Sequence, residues 1–435
     1  MEISTASKAP ATGVGEASAL GQFLRSGVTY WAAMLGAGGL NLVFNVIALR
    51  MLHPVRYGEL AALISLVNLV LIASGAVSRT VTAVVATLED HTLAAWLRWK
   101  ASPALAGLGL LATLVVGIFA ASIAHLLHLH RPIWVWIAAF SLVPGYAGAV
   151  VTGVLQGLRM FREAGAINLL AAVLKFGVLL LLLGAGLGVT GGTLATLTEV
   201  TVVWVGSFAV LARPLRGVAA RAVPWVHTHR DLLGLPVALT VARLLYFNVD
   251  ILMARHYLGA RQAGLFAALG LTGRIIAYGT GALPPVIYPY LIRFRGDRRL
   301  TVRTLGLTLI ATAVAGGGVM GLFFVAPHLL VHLFGSDTAT IAPYVGWYAL
   351  AFLFYSLTYV LLYFLLAAES WWVWVYAFGG SMLEIGGLVL LHRDIAQFTA
   401  VVTAFFGVMF LLTGVHTLRL LASGRRPAGA LPGGG

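Results

Sequence analysis

Residues 103–127 read PALAGLGLLATLVVGIFAASIAHLL, an apolar run without a single Lys, Arg, Asp or Glu. A helix rises about 1.5 Å per residue, so this run is long enough to cross the roughly 30 Å of hydrocarbon in a bilayer. Runs of this kind recur along the chain with short polar breaks. Of the 435 residues 60% are hydrophobic and 10% charged, with a mean hydropathy of +0.95. No soluble globular domain keeps such a composition in water, so lipid is the solvent for most of the chain. The sequence shows no ten-residue alternating segments of the kind that build a membrane barrel, which leaves helices to satisfy the backbone.

Working outward from that run, apolar periodicity predicts twelve spans, at about 28–49, 60–88, 103–127, 132–155, 164–184, 190–212, 232–254, 262–291, 302–326, 341–367, 371–391 and 396–421. Twelve spans put both termini on one side. That side collects 18 Lys and Arg, among them Arg98, Lys100, Arg159, Arg162 and the arginines between 293 and 303, against 6 on the other. This excess predicts cytoplasmic termini. The expected organisation is a cytoplasmic tail over 1–24, a six-helix lobe over 25–212, a cytoplasmic linker over 213–231, a second six-helix lobe over 232–421 and a tail over 422–435. The polar, Ala/Ser/Gly-rich start lacks the features of a secretory signal and reads as disordered. The linker holds Arg213, Arg216, Arg221 and Arg230 with two prolines. An internal repeat supports the division. Phe44-Asn45-Val46, Arg50 and Gly58-x-x-Ala61-Ala62-Leu63 recur as Phe247-Asn248-Val249, Arg255 and Gly264-x-x-Ala267-Ala268-Leu269. Duplicated halves with a substrate site between them are the usual architecture of secondary transporters.

Four cations fall inside spans: Arg79, Lys175, Arg243 and Arg274, in spans two, five, seven and eight. A charge at mid-bilayer costs about 2.5–3.5 kcal/mol even on the lenient insertion scale, so each needs a partner or a wet cavity. A cavity of this sign suits an anion, and arginine pairs well with phosphate oxygens. The competing reading has Arg79 and Arg274 reaching an interface, and Arg243 pairing with Asp250 on the same helical face. The acids Glu199, Asp250 and Glu384, in spans six, seven and eleven, are candidates to carry a coupling ion, H+ or Na+, or to balance these cations. No other cofactor is implied.

Other features carry less. Without cysteine there is no disulfide, thiolate metal site or cysteine nucleophile. The net charge of +14 is scattered between apolar spans, which does not describe a nucleic-acid surface. Gly184 to Gly192 lacks the Lys and Ser/Thr of a phosphate loop and reads as a turn. His125, His128 and His130 have no carboxylate nearby in sequence and read as an interfacial group, not a metal site. Trp371, Trp372, Trp374 and Tyr376 read as an aromatic belt. Pro284, Pro285 and Pro289 predict a kink, break or stop near the cytoplasmic end of span eight.

The loop Leu52-His53-Pro54-Val55-Arg56-Tyr57-Gly58 resembles the Leu-x-Pro-x-x-Tyr-Gly signature of polysaccharide repeat-unit flippases, members of the multidrug/oligosaccharidyl-lipid/polysaccharide (MOP) superfamily. Leu155-Gln156-Gly157 with Arg159 and Phe161, Lys175, Gly188-Val189 with Gly191-Gly192, and Asp250 before Gly264 extend the likeness. The resemblance implies an all-α, MATE-like fold: two pseudo-symmetric six-helix lobes alternating access around a cationic cavity, onto which Arg79, Lys175, Arg243 and Arg274 map. It also implies a transporter, not an enzyme, in the inner membrane. Its substrate would be a polyprenyl-pyrophosphate-linked oligosaccharide, flipped to the outer leaflet for cell-surface or exopolysaccharide assembly. Partners would be that glycan, membrane lipid and other polysaccharide-assembly membrane proteins. Twelve spans, without the two further helices of lipid II flippases, speak against a peptidoglycan substrate. One alternative is a MATE-type drug or organic-cation exporter, which should offer an acidic, aromatic cavity. Another is a membrane-bound glycan polymerase or ligase, which needs a long outer loop with catalytic groups; His392-Arg393-Asp394 is too little for that.

Overall fold

The computed structural model describes residues 14–88, 90–221, 230–281, 283–294 and 297–423, so most of both tails and the centre of the expected linker lie outside it. Among the described residues every regular element is a helix, and eleven helical stretches are long and apolar enough to cross a bilayer. The first of these contains two crossings. Within Val14–Val70 the backbone leaves helical geometry at His53 (φ 59°, ψ 163°). A residue before proline is pushed out of the helical region, and Pro54 then opens the next helix because it needs no N–H partner there. The Tyr57 hydroxyl donates to Asn45 Oδ1 at 3.1 Å. Twelve residues of straight helix would separate the two by about 18 Å, so the chain folds back at His53.

The spans are therefore 1 (14–52), 2 (54–70 continued by Ile72–Leu88), 3 (His91–Ile118 with Ala120–Leu126), 4 (Ile133–Gly157), 5 (Phe161–Gly184), 6 (Gly188–Val210), 7 (Arg230–Tyr257), 8 (Ala260–Thr280 with Leu283–Arg293), 9 (Arg298–Val325), 10 (Ala342–Ala367), 11 (Trp372–Leu390) and 12 (Ile395–Ser423). Asp90 starts span 3 by accepting from the Thr92 hydroxyl and the Thr92 and Leu93 amides, which hold its carboxyl below the usual range. Three expectations change. Helix already begins at Val14, inside the stretch that reads as disordered. Arg98 and Lys100, expected in a loop, lie in a π-helical turn of span 3. Arg98 is buried there, with Nε donating to the Phe208 carbonyl at 2.9 Å and its guanidinium 4.4 Å from the Phe208 ring centre. Span 8 breaks at Gly281, ahead of the prolines, and the helix then runs through Pro289 to Arg293.

Packing repeats between the halves. Spans 3 and 4, 2 and 4, 4 and 6, 1 and 5, and 5 and 6 pack together; so do 9 and 10, 8 and 10, 10 and 12, 7 and 11, and 11 and 12, the same pairs shifted by six. The repeated Ala-Ala-Leu triplets at 61–63 and 267–269 are all buried. The halves touch at Gly58 and Gly264, where a Cβ on Gly58 would lie 2.8 Å from Gly264 Cα. Equivalent residues meet in this way at a two-fold axis. We call this the hairpin end of the bundle, after the turn joining spans 1 and 2. The outside is lipid-like: Ile118 is 75% exposed and Val325 87%. A hydrocarbon solvent accepts those side chains, which water does not.

A Cβ on Gly264 would lie 1.8 Å from the Pro54 carbonyl oxygen, whereas one on Gly306 meets nothing. Gly264→Ala should cost about 1–3 kcal/mol or more through overpacking, while Gly306→Ala should be neutral or stabilise by up to about 1 kcal/mol. Thermal unfolding in detergent micelles compares the two.

Candidate substrate and coupling site

Arg243 and Arg274 each sit fourteen residues from the hairpin end of their helices, at Tyr257 and Ala260. That places both about 21 Å along the axis, near mid-membrane. Arg243 is exposed, although Leu239, Ala242 and Tyr246 on the same helix are buried. Its electrostatic neighbours are Tyr359 first, then Tyr355, Tyr363 and Tyr278. Tyr355, Tyr359 and Tyr363 recur every four residues on one face of span 10. Their rings form a ladder, 5.8 Å and 14° apart between Tyr355 and Tyr359, and 5.1 Å apart between Tyr359 and Tyr363. Arg79, from span 2 of the other half, acts on the same Tyr363. Among the described residues neither arginine makes an ion pair with a carboxylate. The two halves thus present guanidinium groups, flanked by phenols, to a shared space.

Lys175 belongs to a different cluster. Its Nζ lies 2.7 Å from Glu199 Oε2 and 2.7 Å from Asn41 Oδ1, and 4.3 Å from the Phe44 ring centre. Asn41 in turn donates to Glu199 Oε1 at 3.4 Å. Two residues singled out from sequence for different tasks, anion binding and ion coupling, are here partners in one closed pair on spans 5 and 6.

Asp250 does not pair with Arg243. Its Oδ2 accepts from the Tyr348 hydroxyl at 2.5 Å and its Oδ1 from the Ile251 amide at 2.7 Å. The Arg274 charge reaches Asp250, Tyr348 and Tyr57. Glu384 on span 11 is wholly buried, neither carboxyl oxygen has a hydrogen-bond partner among the described residues, and Asp250 is its charged neighbour. It follows a π-helical turn over Val375–Gly379, a feature that often marks functional positions. No group of three His, Cys, Asp or Glu suited to a metal exists among the described residues.

Solved structures share this fold. The lipid II flippase MurJ in an inward closed conformation superposes with a TM-score of 0.68 at 14% identity, over 91% of this chain and 92% of that one. An inward-facing MATE family multidrug resistance transporter of the MOP superfamily gives 0.59 at 14%, over 91% and 94%. A Pyrococcus furiosus MOP transporter, with a binding pocket of reverse polarity, gives 0.55 at 10%, over 92% and 96%. The chain has the MOP-superfamily transporter fold. Neither a family model nor a curated protein sequence matches it.

Within this MOP fold, sequence reading passed over two groups. The tyrosine ladder was visible as a period-four pattern inside span 10. The second is Glu59, fully buried beside Arg255 and His130 at the hairpin end; its signal was an acid directly after the Tyr-Gly of the loop motif. His128 accordingly contacts Arg255 of the second half, while His130 meets Glu59 of its own half.

Replacing Lys175 by Met strands the Glu199 carboxylate. With the Lys175 side chain 6% and the Glu199 side chain 25% exposed, solvent screens part of the charge, and the loss should fall at the low end of the buried-pair range, about 3 kcal/mol. Lys175→Met/Glu199→Leu should recover much of it, as a double-mutant cycle of unfolding midpoints will reveal.

Proposed function

We propose that this protein flips a polyprenyl-pyrophosphate-linked oligosaccharide across the inner membrane by alternating access between its two halves, with both termini in the cytoplasm. The observation that carries this reading is Arg243: a guanidinium at mid-membrane depth, exposed, without a carboxylate partner among the described residues, and facing phenols. A charge in that position is tolerated when it meets water or an anion. Arg79 from the opposite half and Arg274 at the same depth supply further donors, and paired guanidinium contacts suit pyrophosphate oxygens. Tyrosine hydroxyls and ring faces offer sugars both hydrogen bonds and apolar surface. The polyprenyl tail stays in lipid while the head group crosses through the cleft.

Lys175 enters such a site only when its pair with Glu199 opens. Glu384 and its neighbour Asp250 are the proposed carriers of a coupling H+ or Na+, since the buried Glu384 carboxyl, without a hydrogen-bond partner among the described residues, is expensive unless a cation joins it. The same two acids favour a second reading, an organic-cation exporter, in which they face the cargo.

Flipping of a fluorescent polyprenyl-pyrophosphate oligosaccharide in proteoliposomes separates the readings. Arg243→Ala and Arg79→Ala should each slow flipping about tenfold or more, as the loss of one charge-assisted contact worth about 1.4 kcal/mol or more requires. Folded wild-type protein that moves no such lipid, yet exports a cationic dye in a manner blocked by Glu384→Gln, overturns the flippase reading in favour of the exporter.

A further inference from the structure

The hairpin end carries two arginines at equivalent places in the repeat, and each binds the opposite half. Arg255, at the end of span 7, donates through Nε to the Leu127 carbonyl at 2.8 Å and through Nη2 to the His128 carbonyl at 2.6 Å. Those carbonyls close the helix Ala120–Leu126 that ends span 3. Arg50, at the end of span 1, donates through Nε to the Leu333 carbonyl at 2.7 Å and through Nη2 to that of His332. Those belong to the last turn of Pro327–Phe334, the helix that follows span 9. Span 7 is the counterpart of span 1 and span 9 of span 3, so the pseudo-two-fold exchanges the two contacts. Carbonyls in a last helical turn lack intrahelical partners and carry the negative end of the helix dipole, which a guanidinium matches in charge and in hydrogen bonds.

Each arginine has a histidine–carboxylate contact beside it. Glu59 Oε1 meets His130 Nδ1, accepts from the His130 amide at 3.2 Å and lies 3.5 Å from Arg255 Nη2. Glu59 Oε2 is buried and has no hydrogen-bond partner among the described residues. On the other side His53 Nδ1 lies 2.7 Å from Asp337 Oδ2, joining the hairpin to the segment before span 10. Glu59 and Arg255 are 0% and 2% exposed, whereas the His130 and His53 side chains are 59% and 72% exposed, so the imidazoles reach the surrounding water.

We propose that Arg50 and Arg255 form a reciprocal latch sealing the hairpin end of the cleft, seconded by His53 with Asp337. This rests on the alternating-access reading above, in which that end must open. All three contacts run between the halves and have to break on opening, whereas Glu59 and His130 belong to the same half and brace the Arg255 side of the latch.

The test needs no substrate, so its result is independent of which cargo is carried. The chain has no cysteine. Asn68→Cys, on span 2 opposite Asn248 and deeper than the latch, reports entry into the cleft. Arg131→Cys, exposed beside His130, reports which membrane face the hairpin end occupies. A membrane-impermeant maleimide is applied from that face. The expected result is slow labelling of Asn68→Cys. Arg50→Ala and Arg255→Ala should each raise the rate about tenfold or more, a tenfold change being about 1.4 kcal/mol in the sealing equilibrium. Unchanged rates in both arginine variants, each shown folded by gel filtration and thermal unfolding, overturn the latch. If Arg255→Ala does not fold, Arg50→Ala decides.

Discussion

A bilayer core offers no hydrogen-bond partner, and every feature of this fold answers that constraint. Backbone groups are satisfied within helices, and where a helix is interrupted a specific partner takes over. At the reversal between spans 1 and 2, Tyr57 reaches back to Asn45 and Pro54 removes one donor from the account. Side-chain charges are treated in the same way. Arg98 is bonded to a carbonyl and covered by aromatic rings, Lys175 is matched by Glu199, and Arg255 is surrounded by carbonyls and Glu59. Arg243 makes no ion pair among the described residues and has phenols as its electrostatic neighbours, and on it the proposed anion site rests.

The duplication explains how a cleft can exist between two well-packed bodies. Each half buries the same set of helix pairs. Between them the polar contacts gather at the hairpin end, with Asn68 and Asn248 below it. Gly58 and Gly264 allow the two backbones to touch at the axis, and no side chain fits there. Spans 1 and 2 pack against spans 7 and 8 around that point, so the contact between the halves is close and its polar part is directional.

The halves are equivalent in packing and unlike in charge. In the first, the buried cation and acid neutralise each other across spans 5 and 6. In the second, the acids Asp250 and Glu384 lie near each other, and among the described residues neither they nor Arg243 make an ion pair. A symmetric scaffold with asymmetric charges separates a place for an anionic head group from a place for a coupling ion, as the proposed transport cycle needs.

Hydrophobicity is a local property, and so the number of spans, their order and the twofold repeat were all readable from the sequence. So was the loop motif: its fixed residues Leu52, Pro54, Tyr57 and Gly58 are the buried ones, while His53 and Arg56 between them are exposed. The break in span 8 was expected near its prolines but falls at Gly281, because Pro284 and Pro285 are accommodated in the first turn of the helix that starts at Leu283, and glycine is a poor helix former. Charge pairing was not readable, since it depends on which helices become neighbours. Glu59 and Arg255 are 196 residues apart and Lys175 and Asn41 134. No window along the chain contains both members of such pairs. The sequence alone determined that this protein lives in a membrane as two related helical halves carrying buried charge. The tertiary structure decided which of those charges cancel, which make no ion pair among the described residues, and which join the two halves at the hairpin end, because only packing brings distant residues within the few ångströms at which a guanidinium finds its partner.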